Sequence, residues 1–262
     1  MAGKQNLGNL QFTLRNGVKM PAVGLGTYRV RDSEVIYKAV DYALGAGYRL
    51  FAPSDLGAEF VQSAFDTSLR NLGLDYIDLY LIHFPGAAKI NAQSPKNASL
   101  RIETWKVFTK LYDEGKVRAI GVSNFTVKHL AQLMESSDVP PMVNQVEWHP
   151  HYYQNDLLKY CDSNNIRLQA YCSFGGLAVS NTSLIDDQII KDIAKQHQAS
   201  PAQVLLAWAV EQGVAVIPKS TNQHRIIENI QINLNLSPKD ISLIDSLGSV
   251  NCKYAWDPNP IA

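Results

Sequence analysis

Toward the C-terminal end the chain reads IPKSTNQHRIIENIQ, a run whose side chains suit an anion. A buried apolar stretch stops at Pro218. Lys219, Ser220, Thr221 and Asn222 follow at the mouth of a predicted helix, Arg225 lies one turn in, and Glu228 and Asn229 lie beyond it. Cations, hydroxyls and the free N–H groups of a helix start converge there, which is the chemistry that holds a phosphate. The same letters also describe a capped helix with solvated charges, so this segment alone leaves both readings open. A second set of polar residues ends apolar runs. His83 closes IDLYLIHF, Ser123 and Asn124 close AIGVSNF, Asn144, Gln145 and Glu147 lie in NQVEWHP, and Tyr171, Cys172 and Ser173 lie in AYCSFGG. Each could cap a loop, and a lone strand histidine is more often structural than catalytic. Together they describe a pocket lined by amide and hydroxyl groups.

Other chemistries fit less well. GLGTYR holds Gly24 and Gly26 but has Arg29 where a dinucleotide fingerprint needs its third glycine, and no GxxxxGK[ST] is present. A nucleotide would therefore be held without either glycine cradle, and the two glycines read first as tight strand packing. His149 and His151 stand two apart around Pro150, which is no standard metal-ligand spacing. A Cys172–His83 nucleophilic pair rests on composition alone. Lys plus Arg equals Asp plus Glu at 24 each with no run of five like charges, which argues against a nucleic-acid partner. Three dispersed cysteines argue for a reducing compartment and against a disulfide framework. No apolar stretch approaches the roughly 18 residues of a membrane span, and the first residues carry no apolar signal core. The expectation is a soluble, cytoplasmic protein without membrane or nucleic-acid partners.

The elements that must position these residues recur as one phrase: an amphipathic helix, a Gly or Asn, then a short β-branched or apolar run. Helices alternating with single strands imply parallel βαβ units. Strands are expected at Ala22–Thr27, Tyr48–Phe51, Tyr76–Ile82, Arg118–Val122, Met142–Glu147, Arg167–Tyr171 and Val214–Ile217, after an N-terminal hairpin over Phe12–Met20 turning at Asn16-Gly17. Ser33, Ser200 and Ser237 read as helix N-caps, the last two before a proline at the first helical position. Gly86–Leu100 and Ser173–Ile185 read as long loops after strands. The 262 residues show no linker, so one α/β domain spanning 1–262 is expected, a (β/α)8 TIM-type barrel in which seven of eight strands are found.

NGVKMPAVGLGTY, LGLDYIDLYLIHFPG, GKVRAIGVSNF, NQVEWHP and IPKSTNQHRIIENI, in that order, resemble the aldo-keto reductases over essentially the whole chain. The short ending KYAWDPNPIA is most similar to the compact members of that family, the glyoxal reductases and prostaglandin F synthases. The resemblance implies a barrel that binds NADPH and reduces small aldehydes or ketones to alcohols, acting as a monomer. It implies that Ser123, Asn124 and Gln145 hold the nicotinamide carboxamide, Tyr171 stacks on its ring, and Cys172 and Ser173 lie along the pyrophosphate. Lys219, Ser220, Thr221, Asn222 and Arg225 would hold the 2′-phosphate and adenosine, with Glu228 and Asn229 at the adenine. Gly26, Thr27 and Tyr28 would line the nicotinamide end, and His83 would be the catalytic histidine. One departure stands out. Phe51 joins directly to Ala52-Pro53-Ser54-Asp55, where the family continues with an Asp, a Tyr, a helix and a further strand ending in Lys. A helix-plus-strand unit is expected to be missing there, with three of four catalytic residues, as in a truncated isoform.

Overall fold

The structure, a computed structural model, describes residues 6–52, 61–175 and 184–262. After a 3-10 turn at Leu7–Asn9, strands β1 (Gln11–Thr13) and β2 (Lys19–Pro21) form an antiparallel hairpin. Its turn differs from the two-residue form that Asn-Gly suggests. Gly17 N–H donates to Leu14 O and Leu14 N–H to Val18 O, so the loop is the three residues 15–17, with φ positive at Gly17 only. Asn16 keeps ordinary backbone angles; its Oδ1 accepts from Val18 N–H within the loop, while Nδ2 donates to Arg118 O at 2.8 Å. The hairpin packs Leu14 and Met20 beneath Ala119, Met142, Val143 and Ala215, covering the ends at which the parallel strands begin.

Those strands are β3 (Leu25–Gly26), β4 (Phe51–Ala52), β5 (Tyr80–Ile82), β6 (Ile120–Ser123), β7 (Val143–Glu147), β8 (Arg167–Tyr171) and β9 (Ala215–Val216). The last five form one parallel sheet in chain order, and β3 pairs with β4. Parallel bridges Val23–Val216 and Gly26–Lys219, with Gly24 N–H donating to Val216 O, join β3 to β9. The parallel order is thus β4-β3-β9-β8-β7-β6-β5, and among the described residues no ladder joins β4 to β5. The junction at Pro53–Asp55 lies outside the described residues.

The strands are shorter than their apolar runs. The Tyr76–Ile82 run pairs at the Ile77–Val117 bridge and again from Tyr80, and Tyr48 is spent as a buried anchor whose hydroxyl donates to Ile226 O at 2.8 Å. Gly24 and Gly26 are glycines because strands crowd them: a Cβ on Gly26 would lie 2.5 Å from Ile217 O.

Outside the strands lie α1 (Ser33–Ala46), α2 (Val61–Leu72), α3 (Lys96–Asp113), α4 (Val127–Glu135), α5 (Asn155–Ser163), α6 (Gln188–His197), α7 (Pro201–Glu211), α8 (Gln223–Ile230) and α9 (Pro238–Ser246). Ser200 and Ser237 cap α7 and α9 in capping boxes, each followed by proline. Asp32, not Ser33, caps α1: its carboxylate accepts from the N–H groups of Glu34 and Val35, two bonds where a serine hydroxyl makes one. The stretch expected as a loop at Gly86–Leu100 turns helical from Lys96, and much of Ser173–Ile185 lies outside the described residues. α7 is buried from Val204 through Val210, which its apolar composition on every side requires.

Gly121 tests this packing. A Cβ there would lie 2.5 Å from Val143 O and 2.8 Å from Leu81 Cδ2. Gly121→Ala is expected to lower the unfolding free energy by about 1–3 kcal/mol, read as a lower urea midpoint with unchanged slope.

Candidate active site

Strand register decides which side chains meet. Ser123 is level with Gln145, Gln145 with Gln169, and one step up Glu147 is level with Tyr171. Alternation along each strand turns this set to one face of the sheet. Hydrogen bonds link these residues, in part through the Gln145 backbone carbonyl. Ser123 Oγ donates to Gln145 O at 2.7 Å, Gln145 Nε2 donates to Gln169 Oε1 at 2.6 Å, and Tyr171 donates its hydroxyl proton to Asn124 Oδ1 at 2.6 Å. Asn124 Nδ2 donates to the His83 carbonyl at 2.9 Å, tying the end of β5 to the end of β6. Asn124 and Cys172, the residues just past β6 and β8, both hold positive φ (63° and 54°). Non-glycine residues in that region carry backbone strain, which clusters at functional sites.

Gln169 escaped sequence reading although the signal exists: it lies two residues before Tyr171, on the same face. Asn144 faces the other way and bonds Phe125 through both ends of its amide. Burial pushes the Cys172 thiol up to about 11 and also raises the Tyr171 phenol. A thiol so raised is protonated near neutral pH, which removes the nucleophile from a Cys172–His83 pair. His149 Nε2 is committed to Glu147 and His151 Nδ1 to the Tyr254 hydroxyl, and among the described residues no group of three ligands could hold a metal.

Lys219, Thr221, Asn222 and Arg225 are exposed around the start of α8, and Ser220 is buried beside them. Asn222 caps that helix by accepting from Arg225 N–H, and Ser220 Oγ accepts from Asn222 N–H. The cap and the anion-suited cluster coexist, because capping uses Asn222 Oδ1 and leaves the two cations at the surface. Asn229 is buried, and the Glu228 carbonyl accepts from Gln203 Nε2. At the opposite end Thr27 is buried, and the Tyr28 ring meets Trp256 edge-on at 5.6 Å.

A pyridine nucleotide is compatible with this set. Ser173 Oγ and Gln169 Nε2 are buried with no hydrogen-bond partner among the described residues, in the layer where a polar ligand would satisfy them.

The final segment crosses this face. Glu147, with its side chain fully buried, accepts from Lys253 Nζ at 2.7 Å, from His149 Nε2 at 2.9 Å, and from the N–H groups of Tyr254 and Ala255. Trp256 is thereby set edge-on to His83 at 5.7 Å. Further on, His129 Nε2 bonds Ile261 O at 3.0 Å and Ala262 N–H donates to Ala92 O. No sequence signal marks Trp256 as part of this site, since only the strap's path brings it to His83.

A profile of the Aldo/keto reductase family matches residues 51–249. The chain belongs to the aldo/keto reductase family. It is 38% identical to the glyoxal reductase of Bacillus subtilis (strain 168), over 94% of this chain and 95% of that protein. It is likewise 38% identical to the 9,11-endoperoxide prostaglandin H2 reductase of Trypanosoma cruzi (strain CL Brener), covering 94% of each. Among solved structures, an aldo-keto reductase from a Medee basin deep-sea metagenome library superposes with a TM-score of 0.85 at 35% identity, covering 97% of this chain and 100% of that one. The alignment to the glyoxal reductase runs over 280 positions, whereas 94% of 262 residues is about 246, so about 34 positions hold no residue of this chain.

Burial acts to raise the Glu147 carboxyl, but hydrogen bonds from His149, Lys253 and the Tyr254 N–H overcome it and hold it at about 2. A carboxyl depressed below its unfolded value of about 4.3 adds stability above that pH and loses it as pH falls toward 2. Unfolding titrations of Glu147→Gln should therefore show a shallower loss of stability between pH 4.5 and 2 than the unaltered protein. Parallel curves would contradict this account of the carboxylate.

Proposed function

We propose that this chain is an NADP(H)-binding member of its family acting on small carbonyl compounds, with carbonyl reduction impaired by the loss of its proton donor. The observation carrying the nucleotide half is the linked set Ser123, Asn124, Gln145, Gln169 and Tyr171 beside His83, with orphaned Ser173 Oγ and Gln169 Nε2 in the same layer. NADPH, when bound, supplies a hydride to the carbonyl carbon. Ser123, Asn124 and Gln145 would hold the carboxamide that orients its ring, Tyr171 would lie against that ring, and Gly26, Thr27 and Tyr28 would border it. Cys172 and Ser173 would follow the pyrophosphate. Lys219 and Arg225, with Ser220, Thr221 and Asn222, would take the 2′-phosphomonoester, which favours NADP over NAD. Glu228 and Asn229 would reach the adenine. His83 would orient the carbonyl oxygen.

An alkoxide formed by hydride transfer needs a proton in the same event, and a positioned acid contributes typically ~10²–10⁴-fold. The direct join of Phe51 to Ala52-Pro53, and the roughly 34 unfilled alignment positions, support the absence of the unit that carries the family's Asp, Tyr and Lys. Turnover of a small aldehyde is expected at least about 10²-fold below that of a complete relative. Fluorescence titration with NADPH beside an aldehyde assay tests both halves. Binding without turnover selects a non-catalytic nucleotide binder, ordinary turnover refutes the impairment, and a folded protein with no affinity refutes the whole proposal.

The 2′-phosphate reading has its own test. Each charge-assisted bond is worth roughly 1.5–3 kcal/mol, so Lys219→Ala or Arg225→Ala should weaken NADPH binding by about 10- to 100-fold, and NADH binding far less. Equal losses for the two nucleotides would remove the basis for NADP preference.

A further inference from the structure

Arg101 of α3 is a buried cation without a counter-charge. It is 4% exposed, and its guanidinium donates from Nη1 to Pro85 O at 2.9 Å and from Nη2 to Gln132 Oε1 of α4 at 2.8 Å, both neutral acceptors. Among the described residues it forms no ion pair. Burial acts to lower its pKa, yet a guanidinium stays protonated inside a protein, so the charge persists. Taking a charge out of water is costly, and two amide-type oxygens offset only part of that cost. Nearby His129 does not change the balance. Burial holds its imidazole at about 4, and the Arg101 charge pushes the same way, so it is neutral near pH 7.

A cavity of about 270 Å3 lies against this cation, between α3 and the loop that follows β5. Lys96, Leu100 and Arg101 face it from the helix. Pro85, whose carbonyl accepts from the guanidinium, lines the same space, which sets the charge at the cavity wall. Lys96 is exposed at the rim and, among the described residues, makes no ion pair either.

The wall is formed before any ligand arrives. Asn97, 1% exposed, holds the loop off the helix: its Oδ1 accepts from Ala87 N–H at 3.1 Å, and its Nδ2 donates to Asn91 O at 2.9 Å and Ala92 O at 3.1 Å. A ligand therefore does not have to order the loop in order to bind.

The two cations call for an anion, and geometry selects its kind. A guanidinium carries five N–H donors in a planar fork that matches a carboxylate, and Arg101 uses two of its nitrogens on the backbone and Gln132. The rest of the lining is largely apolar, with Ile82 and Phe84 opposite Leu100, so a hydrocarbon body gains hydrophobic free energy beside the charge. The volume is just under the range of drug-sized sites, which suits a short acyl or aryl chain. His83 is not among the described residues that line this space, so the cation does not serve the carbonyl end of the candidate active site.

We infer that this cavity binds an amphipathic monocarboxylate, its carboxylate between Arg101 and Lys96 and its hydrocarbon part against Ile82, Phe84 and Leu100. The inference is independent of the function proposed above.

Calorimetric titration of the full chain with octanoate, octan-1-ol and inorganic phosphate tests it. Octanoate should bind, and the other two at least tenfold more weakly, because the alcohol lacks the charge and phosphate lacks the chain. Arg101→Met keeps an apolar stem, removes the charge and should weaken octanoate at least tenfold. Its fold is checked by circular dichroism, and Lys96→Glu, at an exposed position, replaces it should it not fold, with an expected loss of at least fivefold. Arg225→Ala, at the start of α8, should leave octanoate binding unchanged. Unaltered octanoate affinity in the folded α3 variant would overturn the inference. So would no octanoate binding, or octan-1-ol or phosphate binding as tightly as octanoate. A loss of octanoate affinity in Arg225→Ala would seat the carboxylate at the other cation cluster and overturn it as well.

Discussion

Parallel register is the constraint on which the rest depends. Hydrogen bonding between β6, β7 and β8 sets Ser123, Gln145 and Gln169 level, and Glu147 level with Tyr171 one step higher. Strand alternation then turns all five to one face. A slip of one residue in β7 would send Gln145 and Glu147 outward and bring Asn144 and Val146 in their place. The slip is blocked because Asn144 is committed on the other face, where its amide bonds both backbone groups of Phe125.

That polar layer has two consequences. Its lower level gives an amide-lined seat beside His83, reached through Asn124. Its upper level gives Glu147, a buried carboxylate that becomes tolerable only because four donors converge on it. Three of those donors belong to the strap, Lys253 Nζ and the N–H groups of Tyr254 and Ala255. The charge buried at the end of β7 therefore fixes the path of the last ten residues, and with it the positions of Trp256 and Ile261.

Much of the fold was legible in advance because its signals are local. Gly47, Gly73, Gly115 and Gly213 follow helices with positive φ, where a missing Cβ removes the steric cost. Ser200-Pro201 and Ser237-Pro238 open helices as their chemistry directs. The misreadings were also local in kind. Asn16 stays in its turn, but the loop closes over three residues instead of two, and Asp32 outcompeted Ser33 because a carboxylate accepts two N–H groups. The polar residues at the ends of strands were found as a set, while Gln169 was lost inside an apolar run and Trp256 inside an ending with no pattern of its own.

By itself the sequence determined the order of elements, the parallel class of the sheet, the family and the identity of the polar strand ends, since each follows from nearest-neighbour chemistry or from the motifs themselves. Only the tertiary structure decided that Gln169 joins the amide chain, that Glu147 serves the strap, and that Cys172 is a half-buried thiol. It alone set Trp256 edge-on to His83. Those outcomes depend on distance and burial between residues far apart in the chain, which no local pattern encodes.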